Sequence, residues 1–60
     1  MSKDLEVEKM AFDITGQINN GLPITIVAIN DNSVDVHWFE GEELVAKNAT
    51  VSKNTLRALS

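Results

Sequence analysis

Cysteine and tyrosine are absent from this 60-residue chain, and it has a single histidine, a single tryptophan and a single proline. Without cysteine there is no disulfide to brace a domain this short and no thiolate to hold a metal. Sixty residues lie near the lower size limit for one self-supporting core, so Val, Ile, Leu, Phe and Trp must build it alone or with a second copy of the chain. No apolar run approaches the roughly 18 residues of a membrane span. Met1 to Asp4 lacks the apolar stretch of a signal peptide, which places the chain in the cytoplasm by expectation. The triplet Asn48, Ala49, Thr50 spells a glycosylation sequon, and without a secretory signal it reads as chance.

Positive charge is missing where it would matter most for nucleic acid. From Met10 to Ala46 there is no Lys or Arg, while Asp13, Asp31, Asp35, Glu40, Glu42 and Glu43 give that segment six negative charges. Phosphate recognition needs clustered cations, so DNA and RNA are poor partners for this body. The same segment suits a basic partner, or an acidic modulator that occupies the nucleic-acid-binding surface of another protein.

Catalytic equipment is equally thin. His37 is the sole imidazole, and no Ser sits in a nucleophile motif. Two carboxylates acting as acid and base need a dry cleft and a fixed separation. The residues therefore predict no enzyme, no cofactor and no metal site. Asp35 and His37 do share one face of a strand, but two ligands are an incomplete set for a transition metal.

What remains is β-sheet pattern. Residues 1–9 are charged and read as a flexible arm, with residues 10–60 as the domain. Leu5 and Val7 have the opposite parity to Met10, Phe12 and Ile14, so an arm that joins the sheet must bulge or bend near Glu8 and Lys9. Met10, Phe12 and Ile14 are expected to form the buried face of a first strand. Gly16 and the run Asn19 to Pro23 break the chain. Ile24 to Ile29 is a largely apolar, β-branched run broken only by Thr25 and Ala28, and Asn30 to Ser33 makes a turn.

With Asp31 and Asn32 as a two-residue loop, Ile29 faces Val34, Val27 faces Val36 and Thr25 faces Trp38. The reverse face then pairs Ile26 with His37 and Ile24 with Phe39. Trp38 is thus expected in the core. Ile24, Ile26, His37 and Phe39 form the expected protein-contact patch, and a second copy of the chain is one candidate to cover it. A loop at Gly41 and Glu42 sets Phe39 against Leu44 and Trp38 against Val45, which leaves Glu40, Glu42 and Glu43 as an acidic contact at an exposed tip. Ser52 is placed to cap a short helical turn before the C-terminus.

Phe12, the loop Asn20, Gly21, Leu22, Pro23, the run Ile24, Thr25, Ile26, and Trp38, Phe39, Gly41, Leu44 at their spacing resemble the YodC-like family of small bacterial proteins. The resemblance covers residues 12 to 59. It implies an all-β, SH3-like antiparallel barrel of about five strands with a short C-terminal helical turn, and it brings no catalytic residues. The function expected from the residues is a non-catalytic protein-interaction module.

Overall fold

The computed structural model describes residues 5–59. Five strands form one antiparallel sheet: β1 (Met10–Asp13), β2 (Ile24–Ile29), β3 (Ser33–Glu40), β4 (Val45–Ser52) and β5 (Leu56–Ala58), in the order β4-β3-β2-β1-β5. Strands β1 to β4 follow one another as a meander, and a 3₁₀ turn at Lys53–Thr55 returns the chain to the far side of β1. This is the strand order of an SH3-like barrel, and the fold is all-β as the alternation predicts. The helical piece is shorter than a helix and leads into a fifth strand. Its start is fixed by Ser52, whose Oγ accepts from the Asn54 N–H at 3.2 Å.

The core is one cluster of Ala11, Ile24, Ile26, Val34, Val36 and Leu56, each at most 3% exposed, with Leu5, Ile18, Trp38, Ala49 and Val51 packed against it. Val34 and Val36 enter the core because the turn at Asp31 and Asn32 is tight, with the Asn30 N–H donating to the Ser33 carbonyl at 2.8 Å. Ile29 faces Val34 and Ala28 faces Asp35, as a two-residue loop requires. One residue further the ladder shifts, because Val27 is an extra residue between Ile26 and Ala28. That β-bulge sends Val27 outward and pairs Ile26 with Val36 and Thr25 with His37. Ile24 and Ile26 are consequently turned into the core.

β1 also reverses its expected sides. Ala11 and Asp13 point inward, while Met10 and Ile14 are nearly half exposed and Phe12 is half-buried. The cause lies one turn earlier. The Glu8 N–H donates to the Ile26 carbonyl at 2.8 Å and the Ile26 N–H to the Lys9 carbonyl at 2.9 Å, so Glu8 and Lys9 together oppose Ile26. Glu8 has φ +72°, in the position of such a bulge that glycine normally fills. The bend expected at these residues is therefore present. With Leu5 packed on the core, the described part of the segment read as a flexible arm is tied to the sheet; residues 1–4 lie outside the described residues.

A left-handed backbone at Glu8 carries a steric cost that glycine avoids, partly offset by glycine's larger loss of entropy on folding. Glu8→Gly is expected to raise the unfolding free energy by about 0.5 to 1 kcal/mol, read from the urea midpoint. A lowered midpoint would mean that the glutamate side chain holds the bend in place.

Between β1 and β2 the chain makes a loop anchored at Asp13. One carboxylate oxygen, Oδ1, accepts from the Thr15 N–H at 2.9 Å and the Thr15 hydroxyl at 2.7 Å; the other, Oδ2, accepts from the Ile18 N–H at 3.0 Å. Farther along, Asn19, Asn20 and Gly21 all have φ between +50° and +79°, a left-handed turn that Asn and Gly tolerate best. No helix among the described residues is long and apolar enough to cross a membrane.

Candidate functional site

β3 and β4 stay paired over eight residues, from Ser33 opposite Ser52 to Glu40 opposite Val45. β2 accompanies β3 only as far as His37. Trp38, Phe39 and Glu40 are therefore held by β4 alone, and the end of this hairpin projects from the body, in keeping with a long axis of 36 Å against 19 Å for the other two.

Alternation along β3 sorts the side chains at this end. Trp38 follows Val34 and Val36 on the inner face, where it is half-buried against the core, as expected from its parity. It is not sealed, and its indole N–H donates to Glu40 Oε1 at 3.3 Å. Phe39 points the other way and is 56% exposed. Beside it the His37 ring stands edge-on, with centroids 4.9 Å apart and planes at 80°. This is the T-shaped contact that aromatic quadrupoles favour.

The hairpin closes through four residues, Gly41 to Leu44, with the Leu44 N–H donating to the Gly41 carbonyl at 3.1 Å. This corrects the expected two-residue loop at Gly41 and Glu42. Phe39 now opposes Ala46, Trp38 opposes Lys47, and Leu44 lies in the turn. Gly41 supplies the positive φ of +77° that opens the loop. Leu44 closes it at φ +54°, where a branched side chain is strained, and is 66% exposed. Val45 beside it is 48% exposed. Glu40, Glu42 and Glu43 are exposed in the same few residues.

The expected contact patch is thus split in two. Ile24 and Ile26, each 1% exposed, belong to the core, since the Val27 bulge moved them across the sheet. His37 and Phe39 stay together on the outside, and the acidic trio keeps its place at the tip. Leu44 in the turn and Val45, which opposes Glu40 and so points away from Phe39, are further exposed apolar side chains at this end that sequence reading assigned to strand pairing. The one available signal was an apolar residue directly after Gly41, Glu42 and Glu43, which fits either loop length.

On the same face a shallow groove of about 420 Å³ is lined by Val27, Asp35, Val36, Asn48, Ala49 and Thr50. Asp35 accepts the Thr50 hydroxyl at 2.6 Å across the strands. Its partner in the two-ligand idea, His37, packs on Phe39. Among the described residues no three His, Cys, Asp or Glu side chains gather as metal ligands would. No family model, curated protein or solved structure significantly matches the chain. The chemistry of the site has to be read from the site itself.

Proposed function

We propose that this domain is a non-catalytic protein-interaction module whose working surface is the end of the β3–β4 hairpin. The observation that carries the reading is Leu44. A leucine two-thirds exposed and held in a left-handed backbone breaks two local preferences at once, and such departures are most often kept where contact requires them. Phe39 lies on the outer face of the hairpin and Val45, opposite Glu40, on the other, so exposed apolar side chains flank the tip on both faces, and Glu40, Glu42 and Glu43 add negative charge around it. Apolar anchors inside a charged rim are the anatomy of a protein interface. The partner that fits is a protein surface with an apolar depression bordered by Lys and Arg.

The acidic rim also supports the second reading, an acidic modulator that covers the basic, nucleic-acid-binding surface of another protein. The two readings differ in what dominates the affinity. Capture from the native host with the wild-type chain and with Phe39→Ser and Leu44→Gly as control baits is expected to retain one partner on the wild type alone. Phe39→Ser should keep a midpoint close to wild type because the side chain is exposed, and Leu44→Gly should match or exceed wild type because glycine relieves the left-handed backbone at φ +54°. Affinity for that partner should fall modestly with salt if Phe39 and Leu44 are the anchors, and steeply if charge carries the binding. A partner held equally by all three baits would remove the hairpin tip from the interface. The YodC-like resemblance stands beside this reading as a proposal of kinship, carried by Trp38, Phe39, Gly41 and Leu44 at their spacing.

A further inference from the structure

β4 is an edge strand of eight residues with β3 on one side and no strand of the described residues on the other. Bulges, prolines and charges are the usual devices that keep a sheet edge from pairing; the ladder of β4 to β3 has no bulge, the strand has no proline, and Lys47 is its single charge. The phase of the open hydrogen-bonding groups follows from one contact. The Lys53 N–H donates to the Asn32 carbonyl at 3.3 Å, so Lys53 and Asn32 form a hydrogen-bonded pair, and alternation makes Val51, Ala49, Lys47 and Val45 the residues bonded to β3. Ala46, Asn48, Thr50 and Ser52 therefore aim their backbone N–H and C=O groups at the free edge.

Charge along this edge is polarised. The strand begins just after Glu42, Glu43 and Leu44 and ends at Ser52, immediately before Lys53. An antiparallel copy of the same strand reverses that order, so each acidic end lies against a basic one. A two-fold axis normal to the sheet allows pairing centred on a residue, and the centres that overlap most of the strand differ sharply. Centred on Lys47 or on Thr50, lysines oppose lysines. Centred on Ala49, Val45 faces the partner's Lys53 and Lys47 faces the partner's Val51. Centred on Asn48, Val45 faces the partner's Val51, Lys47 faces the partner's Ala49, Ala46 faces the partner's Thr50, and the two Asn48 amides meet on the axis. The acidic turn then reaches the partner's Lys53.

We propose that two copies of this chain pair through β4, antiparallel and centred on Asn48, to make one sheet of ten strands. The edge shares Glu43 and Val45 with the hairpin tip but not Phe39, so Phe39→Ser tests the interaction module and Asn48→Pro tests the pairing separately.

The test is sedimentation of the full chain across the micromolar to millimolar range. Wild type is expected to form a dimer. Asn48→Pro removes an outward N–H and blocks the edge at a site where an edge strand tolerates proline, so it should stay monomeric. Glu43→Lys and Lys53→Glu should each weaken the dimer by roughly tenfold, because an attraction repeated twice by symmetry becomes a repulsion. The doubly exchanged chain should recover it. These two positions read the same interface if Asn48→Pro does not fold. A chain that remains monomeric at millimolar concentration overturns the proposal. So does a dimer that Asn48→Pro leaves intact, or one that both single charge variants leave unchanged.

Discussion

Ile26→Ala is expected to lower the unfolding free energy by about 2 to 5 kcal/mol, measured by urea denaturation followed through Trp38 fluorescence. The side chain is 1% exposed and sits between Val36 on β3 and the bend at Glu8 and Lys9. Removing it takes apolar surface from the centre of the only core cluster among the described residues, and little nearby mass is free to fill the gap. The domain has little to lose. At roughly 0.05 to 0.15 kcal/mol per residue, a chain of 60 residues holds about 3 to 9 kcal/mol in total. The variant should therefore show a substantial unfolded population at ordinary temperature. Phe39→Ser, by contrast, should change stability by less than about 1 kcal/mol. If Ile26→Ala were as mild as Phe39→Ser, the bulge at Val27 would be wrong and Ile26 would face solvent.

That pair of substitutions also marks where the sequence could be read and where it could not. Alternation over Ser33 to Trp38 has a period, so the inward indole follows from it, and the outward phenyl follows from its opposite parity. The turn at Asp31 and Asn32 is fixed by residues that accept its backbone, and the first two cross-strand pairs follow as well. Ile24 to Ile29 has no polar residue except Thr25 and therefore almost no period. A bulge at Val27 exchanges one apolar face for another, and nothing in the composition of the run opposes it. The bend at Glu8 and Lys9 was legible because charge separates two apolar stretches of opposite parity. Its consequence for β1 was not, since a small Ala11 inside and a large Met10 outside invert the ordinary size preference. Room under β1 is taken by Leu56, Leu5 and Ile18, from three different segments that only tertiary packing brings together. The tip remained ambiguous because Leu44 is as suitable for a strand as for a contact.

Asp13 controls the second large effect, which appears with acid. Its carboxylate is held below the ordinary carboxylate range, chiefly by the Thr15 hydroxyl and the Thr15 N–H, with the Ile18 and Gln17 N–H groups adding to them and burial opposing. All of these donors favour the ionised form. The folded state thus binds a proton at this site less readily than the unfolded chain, whose value stays near 3.8. The resulting stability is present in full above that value and is lost as the pH falls through the lower folded value. Asp13→Asn keeps the size but turns an amide NH₂ toward a donor, because the two carboxylate oxygens accept from three groups. It should lower the urea midpoint near neutrality and loosen the loop from Ile14 to Leu22, seen as faster exchange of the Thr15 and Ile18 amides. The gap between wild type and Asp13→Asn should then narrow once the pH drops below about 3.8. A gap of constant size from neutral to strongly acidic solution would show that the negative charge is not what anchors the loop. The sequence carried a local trace of this anchor, an Asp two residues before a Thr and three before a Gly, which is the spacing of a side chain that closes its own turn.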